Sequence, residues 1–480
     1  MTPLAGFAPD ADVTTPGVIT DCTNFIPYLV GMEGGPSQVV PGSVPTLASD
    51  CRNGVVTTKL DDTRRIFAGT ATKLYELVSG AWTDQSAGSY TGGTDTRWSF
   101  TQFGDSTIAS NLTDAMQRST TGAFAAIASA PKADIVFSVG AFVMALNVND
   151  GTVKPNGWAC CAAFDETTWT PSVTNQANNG LLVATPGKLT AGLRLGEYAV
   201  AYKAKSIYLG TYVGSPAVWN WLLVLGGEAG CVGKDALCDI GGAHFFVGDD
   251  NIWIFDGTRP KSIADGSVRQ WFFNNSNPTY RYKTTCVFDR QNNRVWMFYV
   301  SISGSTLDSA LVYHVAANKW GRADQSIEAA FNYIQPTPTI DTLTNYSATI
   351  DGLPAQGLDS QFWMAGGRFL TVVNTSHQVV TLTGNSTSSN FTTGDGGDDD
   401  TVSCLKKLRL RYMTAPTSAT VQTYYRMQSG ATYTTGSSGA INDGKFDTRQ
   451  SGRWHKAKFS FTGPVQVTQV EAQYSAAGQR

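Results

Sequence analysis

The chain has 480 residues, of which 42% are hydrophobic, 11% aromatic and only 15% charged, with 49 glycines. This is enough apolar material for a large core, which excludes general disorder, and too little charge to clothe many exposed helices. The net charge of -3 does not argue for a nucleic-acid binder, although the final segment, Thr401–Arg480, carries +8 and the remainder -11.

In chain order, the first stretch, residues 1–53, is broken by Pro27, Gly31, Gly34, Gly35 and Pro36 and is expected to be an extended arm. The opening lacks a basic stretch followed by an apolar one, so no secretory leader is expected. The most apolar run, Trp219–Leu225, falls far short of the ~18 residues of a membrane span. The eight cysteines form no C-x2-C pair and are expected to be reduced thiols of a protein made in the cytoplasm.

Residues 54–384 repeat a unit: a short apolar strand, a turn and an aromatic-bearing strand. The copies are Lys73–Trp82, Met116–Phe124, Phe164–Trp169, Ile207–Trp219, Ile252–Gly257, Leu311–Trp320 and Phe369–Val380. Their spacing of roughly 40–60 residues fits the four-stranded blade of a β-propeller. One blade cannot cover both faces of its sheet, so blades stack and the ring closes. The expectation is an all-β fold with six to eight blades, seven being the best count; two or three β-sandwiches are the competing arrangement. Residues 385–400 are rich in Ser, Thr, Gly and Asp and are expected to be a linker or loop. Residues 401–480 carry alternating strands and are expected to form a small, basic β-sandwich-like domain.

No catalytic constellation emerges. His244, His314, His377 and His455 stand outside any metal-ligand motif. Gly230-Cys-Val-Gly233-Lys234 lacks the first glycine and the Ser/Thr of a phosphate loop and is expected to be a blade corner. The acidic run Asp395–Asp400 lacks a calcium-loop pattern and is expected to be solvated. Asp165–Trp169 lacks the Ser and Gly of a sialidase box. No enzyme activity, cofactor or metal is expected. The basic residues Lys406, Lys407, Arg409, Arg411, Arg453, Lys456 and Lys458 are candidate interface groups, and period two would place Lys407, Arg409 and Arg411 on one face. Exposed tryptophans such as Trp98, Trp169 or Trp219 would support the alternative of a carbohydrate-binding or carbohydrate-cleaving propeller.

Several segments in order resemble the tail nozzle (tail-hub accessory) proteins of short-tailed bacteriophages. They are Pro16–Pro27 with Gly31–Pro36, then Ile66–Thr70, Ala109–Gln117, Tyr212–Pro216, Gly241–Gly248, Ile252–Gly257, Val268–Phe273, Val295–Phe298, Ser451–His455 and the closing Gly478–Arg480. The resemblance implies a virion structural protein: a homo-hexameric ring below the portal and adaptor, continuing the channel through which double-stranded DNA is ejected. It also implies contact with tail fibre, spike or tip proteins, synthesis in the host bacterial cytoplasm, and no membrane span. Asn24 and Pro27, in the opening motif, join the candidate interface residues.

Overall fold

The computed structural model describes residues 2–40, 45–226, 228–334, 343, 347, 349–352 and 368–477. Strands dominate, with one short α-helix among the described residues, at Arg269–Asn275.

Six four-stranded antiparallel sheets stand as separate units, and a seventh set of four strands begins a ten-stranded sheet. Their innermost strands are, in order, Gly54–Thr58, Ser99–Phe103, Lys132–Val139, Leu189–Leu195, Leu237–Asp239, Thr285–Asp289 and Ile327–Ile334. Each touches the next, and the last touches the first, so the seven sets close a ring; they are called blades 1 to 7 here. The ring is a β-propeller. Strands covered on both faces are largely apolar: in blade 3, Phe142–Val148 are buried without a break, and all but Asn147 are apolar.

Six of the seven sequence copies lie where the third strand of a blade passes to the fourth, as in Leu74–Val78 to Ala81–Asp84 of blade 1. The seventh joins Arg368–Asn374 to Val379–Gly384, the second and third strands of blade 7. That blade takes its fourth strand from the other end of the propeller segment: Ser37–Val39 pairs with Val379–Gly384. Closing the last blade with a strand from before the first blade ties both ends of the ring together.

The arm expected over residues 1–53 is not an appendage. Val18–Thr23 pairs with Ser388–Thr393, and Met32–Gly34 pairs with Gln466–Ala476. Five short strands before residue 35 complete a two-sheet sandwich whose remaining strands come from residues 388–476. Short strands that pair only with distant partners leave no local periodicity, so the sequence shows only their Pro and Gly breaks. The linker expected over 385–400 also needs correction. It contains the strand Ser388–Thr393, and Phe391 is fully buried, its ring 4.9 Å from Phe25 and 5.1 Å from Phe459.

One sandwich sheet runs on into blade 6, where Arg322 pairs with Phe25. Asp10 reinforces the joint by accepting the backbone N–H of Trp271 at 2.9 Å at the start of the helix, and Lys319 donates to the Leu4 carbonyl at 2.9 Å. Sandwich residues such as Phe25 and Phe459 belong to the same buried cluster as Phe245 and Phe246 of blade 5. Sandwich and propeller therefore share one core. The closing motif Gly478–Arg480 lies outside the described residues.

Candidate functional site

The basic residues are distributed by strand register. Along Ser403–Thr414, Leu405, Leu408 and Leu410 point into the sandwich, while Lys407, Arg409 and Arg411 share the outer face. An irregularity between Leu405 and Lys407 leaves Lys406 exposed as well. Arg409 lies opposite Glu471, Arg411 opposite Gln469 and Lys407 opposite Gln473. Asp447, across from Lys407, is met by Lys445 at 3.8 Å. Among the described residues, none of Lys406, Lys407, Arg409 and Arg411 is in ion-pair contact with a carboxylate.

Lys456 and Lys458 belong to the other sheet, on the half-buried outer face of Trp454–Thr462. The Lys456 ammonium sits 5.0 Å over the Tyr433 ring, and burial holds it below the ordinary lysine range. Arg453 donates to the Met427 carbonyl at 3.5 Å. The seven cations thus form no single patch; the stripe Lys407, Arg409, Arg411 is the group the fold brings together. Asn24 and Pro27 are occupied within the chain. Asn24, at φ 48°, accepts the Asp324 N–H at 2.8 Å, and Pro27 is buried.

A second polar assembly crosses the ring axis at the end where the innermost strands begin. Lys234, in the loop leading into blade 5, donates to Asp134 Oδ1 of blade 3 at 2.8 Å and to the Arg97 carbonyl before blade 2 at 2.6 Å. Arg97 Nε lies 2.9 Å from Asp235 Oδ2, and Asn53 before blade 1 donates to Asp235 Oδ1 at 3.1 Å. Blade 5 does not neighbour blades 1 to 3, so these bonds span the axis. Burial acts to raise the Asp134 carboxyl, but the Lys234 charge and hydrogen bond prevail and hold it below the usual range. Gly230 and Gly233 permit the approach: an added Cβ would overlap the Lys203 and Ala204 backbone at the first and the Tyr282 carbonyl oxygen at the second. The glycine motif is thus explained by axis closure, with its lysine already engaged. Nothing in the sequence pattern placed Arg97 or Asp134 beside it, because these contacts join blades far apart in the chain.

Part of the acidic run and the three candidate tryptophans are engaged structurally. Asp395 of the acidic run is buried, 2.5 Å from Arg426 and 2.6 Å from the Tyr433 hydroxyl, and Asp399 accepts the Trp454 indole N–H at 2.7 Å. The run expected to be solvated is therefore partly core. Trp98, Trp169 and Trp219 are all buried, so the sugar platform they would form is not at the surface. Asp50, Glu328 and His377 cluster at the seam of blades 7 and 1. His377 Nδ1 lies 2.6 Å from Glu328 and its Nε2 3.8 Å from Asp50. The two carboxylates approach opposite ring nitrogens, an arrangement that orients the imidazole.

No protein-family model and no curated protein matches the chain. Among solved structures, the chain is similar to PorZ of Porphyromonas gingivalis, an essential bacterial surface component of the type IX secretion system. The identity is 12% over 60% of this chain, with a TM-score of 0.36, and the match spans 35% of PorZ. It is also similar to YCF48 in complex with a D1 peptide, at 12% identity over 60% of this chain and 84% of YCF48, with a TM-score of 0.35.

Proposed function

We propose that the chain is a structural ring subunit of a virion, the nozzle of a short phage tail that continues the DNA-ejection channel below the portal and adaptor. The observation that carries this reading is the stripe Lys407, Arg409, Arg411, which is aligned on one sheet face and free of carboxylate contact among the described residues. Its sandwich is welded to blade 6 through a shared sheet, so load on the sandwich passes directly to the ring of blades. Cations held in register on a stiff support suit docking to acidic surface on an adjacent copy or on the adaptor. Rim charges of this kind set orientation and association rate more than affinity. In this reading DNA passes between subunits, since the axis of each propeller is crossed by Lys234 and Asp235.

Reversing all three cations to Glu tests the reading. Assembly of the variant into rings, followed by light scattering, is expected to slow markedly at low salt and to converge on the parent as salt approaches ~0.15 M, where the Debye length is about 8 Å. The unfolding midpoint stays at the parent value, because the three side chains point outward. Assembly at the parent rate across the whole salt series would remove these residues from the interface.

A further inference from the structure

At the opposite end of the ring from the Lys234 assembly, a cleft of about 720 Å³ opens over blades 1 to 4, within the range of about 300–1,000 Å³ typical of small-molecule sites. Topology places it there. The turns that follow the innermost strands, and the passages from third to fourth strands, gather at this end. One such passage, in blade 3, carries Phe164.

Phe164 is 82% exposed and has φ 60°. A bulky aromatic residue is an outlier in left-handed backbone, and an exposed ring adds little to packing that could offset the strain. The backbone beneath it is fixed: the Phe164 N–H donates to the Ala141 carbonyl at 2.8 Å, and Asp165 Oδ1 accepts the Thr167 N–H at 2.9 Å. The ring is thus presented at the cleft wall on a set backbone.

Of the cations around it, Arg118 is pre-positioned. Glu166, buried, accepts from Arg118 Nε at 2.7 Å and from Ser106 Oγ at 2.5 Å, so its charge is spent on orienting the guanidinium. The terminal nitrogens of Arg118 and the whole Arg194 guanidinium have no hydrogen-bond partner among the described residues, and both residues line the cleft. Lys59 has only Asp61, at 3.7 Å, and the remaining carboxylate, Asp105, accepts the Leu60 N–H at 2.9 Å. Forked donors of this kind match a carboxylate in two-point contact. Thr120, Thr121 and Ser138 add hydroxyls to the lining.

We infer that this cleft binds a ring sugar bearing a carboxylate. Arg118 and Arg194 take the carboxylate, the hydroxyl lining takes the sugar hydroxyls, and the C–H face of the sugar lies on Phe164. The inference is independent of ring assembly and holds for the isolated full chain.

Titration calorimetry with glucuronate, glucose and acetate tests it. Glucuronate binds, while glucose and acetate, each lacking one half of the recognition, bind at least about tenfold more weakly. Arg194→Ala and Phe164→Asn each weaken glucuronate at least about tenfold. Phe164→Asn melts no lower than the parent, because Asn tolerates the left-handed backbone and little packed surface is lost. Glucose binding as tightly as glucuronate, absence of glucuronate binding in the millimolar range, or parent-like binding by both variants would each overturn the inference. A Phe164→Asn variant that loses binding only because it unfolds would show that the ring supports the fold, and would likewise overturn it.

Discussion

His244 shows how completely single side chains are committed to the fold. Its Nε2–H donates to the Arg194 carbonyl at 2.9 Å, which leaves Nδ1 to accept from the Tyr202 hydroxyl at 2.8 Å. A proton on Nδ1 would reverse the second bond and place a charge in the core, and burial holds the imidazole below its ordinary value of 6.5. His314 and His455 are lowered by burial in the same way. The sign follows from linkage: below pH 6.5 the unfolded chain takes up protons that the folded chain refuses, so stability is full above that pH and falls beneath it. Urea unfolding at pH 7.5 and 5.5 is expected to show lower stability at 5.5, with a shallower drop for His244→Gln. An equal drop in the variant would mean that His244 titrates freely. Residue-scale detail of this kind was only partly legible in sequence. The four histidines stood outside any metal motif, but their partners lie 3 to 52 residues away, in other strands or turns. The left-handed backbone of Phe164 leaves no mark on composition or spacing.

At the level of elements, legibility followed the range of the contacts. Hairpins such as Ser206–Gly214 with Val218–Leu223 declare themselves, because both strands and the turn are contiguous. The propeller was readable from seven such units. The sandwich was readable only in its C-terminal half, where Ser403–Thr414 and Trp454–Thr462 alternate over long runs. Its other half comes from strands of two to six residues near the start, and from a Ser/Thr-rich strand whose one apolar marker is Phe391. Phe25 tests this joint. It is fully buried and stacks on Phe391 and Phe461 at 4.9 and 6.1 Å. Phe25→Ala should cost about 3–5 kcal/mol in chemical denaturation, as expected for a large cavity in a closed core. A loss below about 1 kcal/mol would mean that the arm strands dock loosely and can leave the sandwich.

For the molecule as a whole, the two termini and the ring form one mechanical unit. Ser37–Val39 closes blade 7, the preceding strands fill the sandwich, and the sandwich sheet continues into blade 6. A load applied to the sandwich is shared by the ring without passing through a flexible joint, which suits a component standing under the pressure of packaged DNA. Charge does not follow the same division: the +8 of Thr401–Arg480 is offset within the sandwich by Asp10, Asp12, Asp21, Glu33, Asp395, Asp398, Asp399 and Asp400. In a head-to-tail ring, the stripes Lys407, Arg409 and Arg411 of successive copies would repel unless each met acidic surface on its neighbour. Native mass spectrometry of the purified full chain over a concentration series at low salt tests the proposed ring most directly: the account predicts a closed particle of six copies, and a species that stays monomeric at every concentration would contradict it.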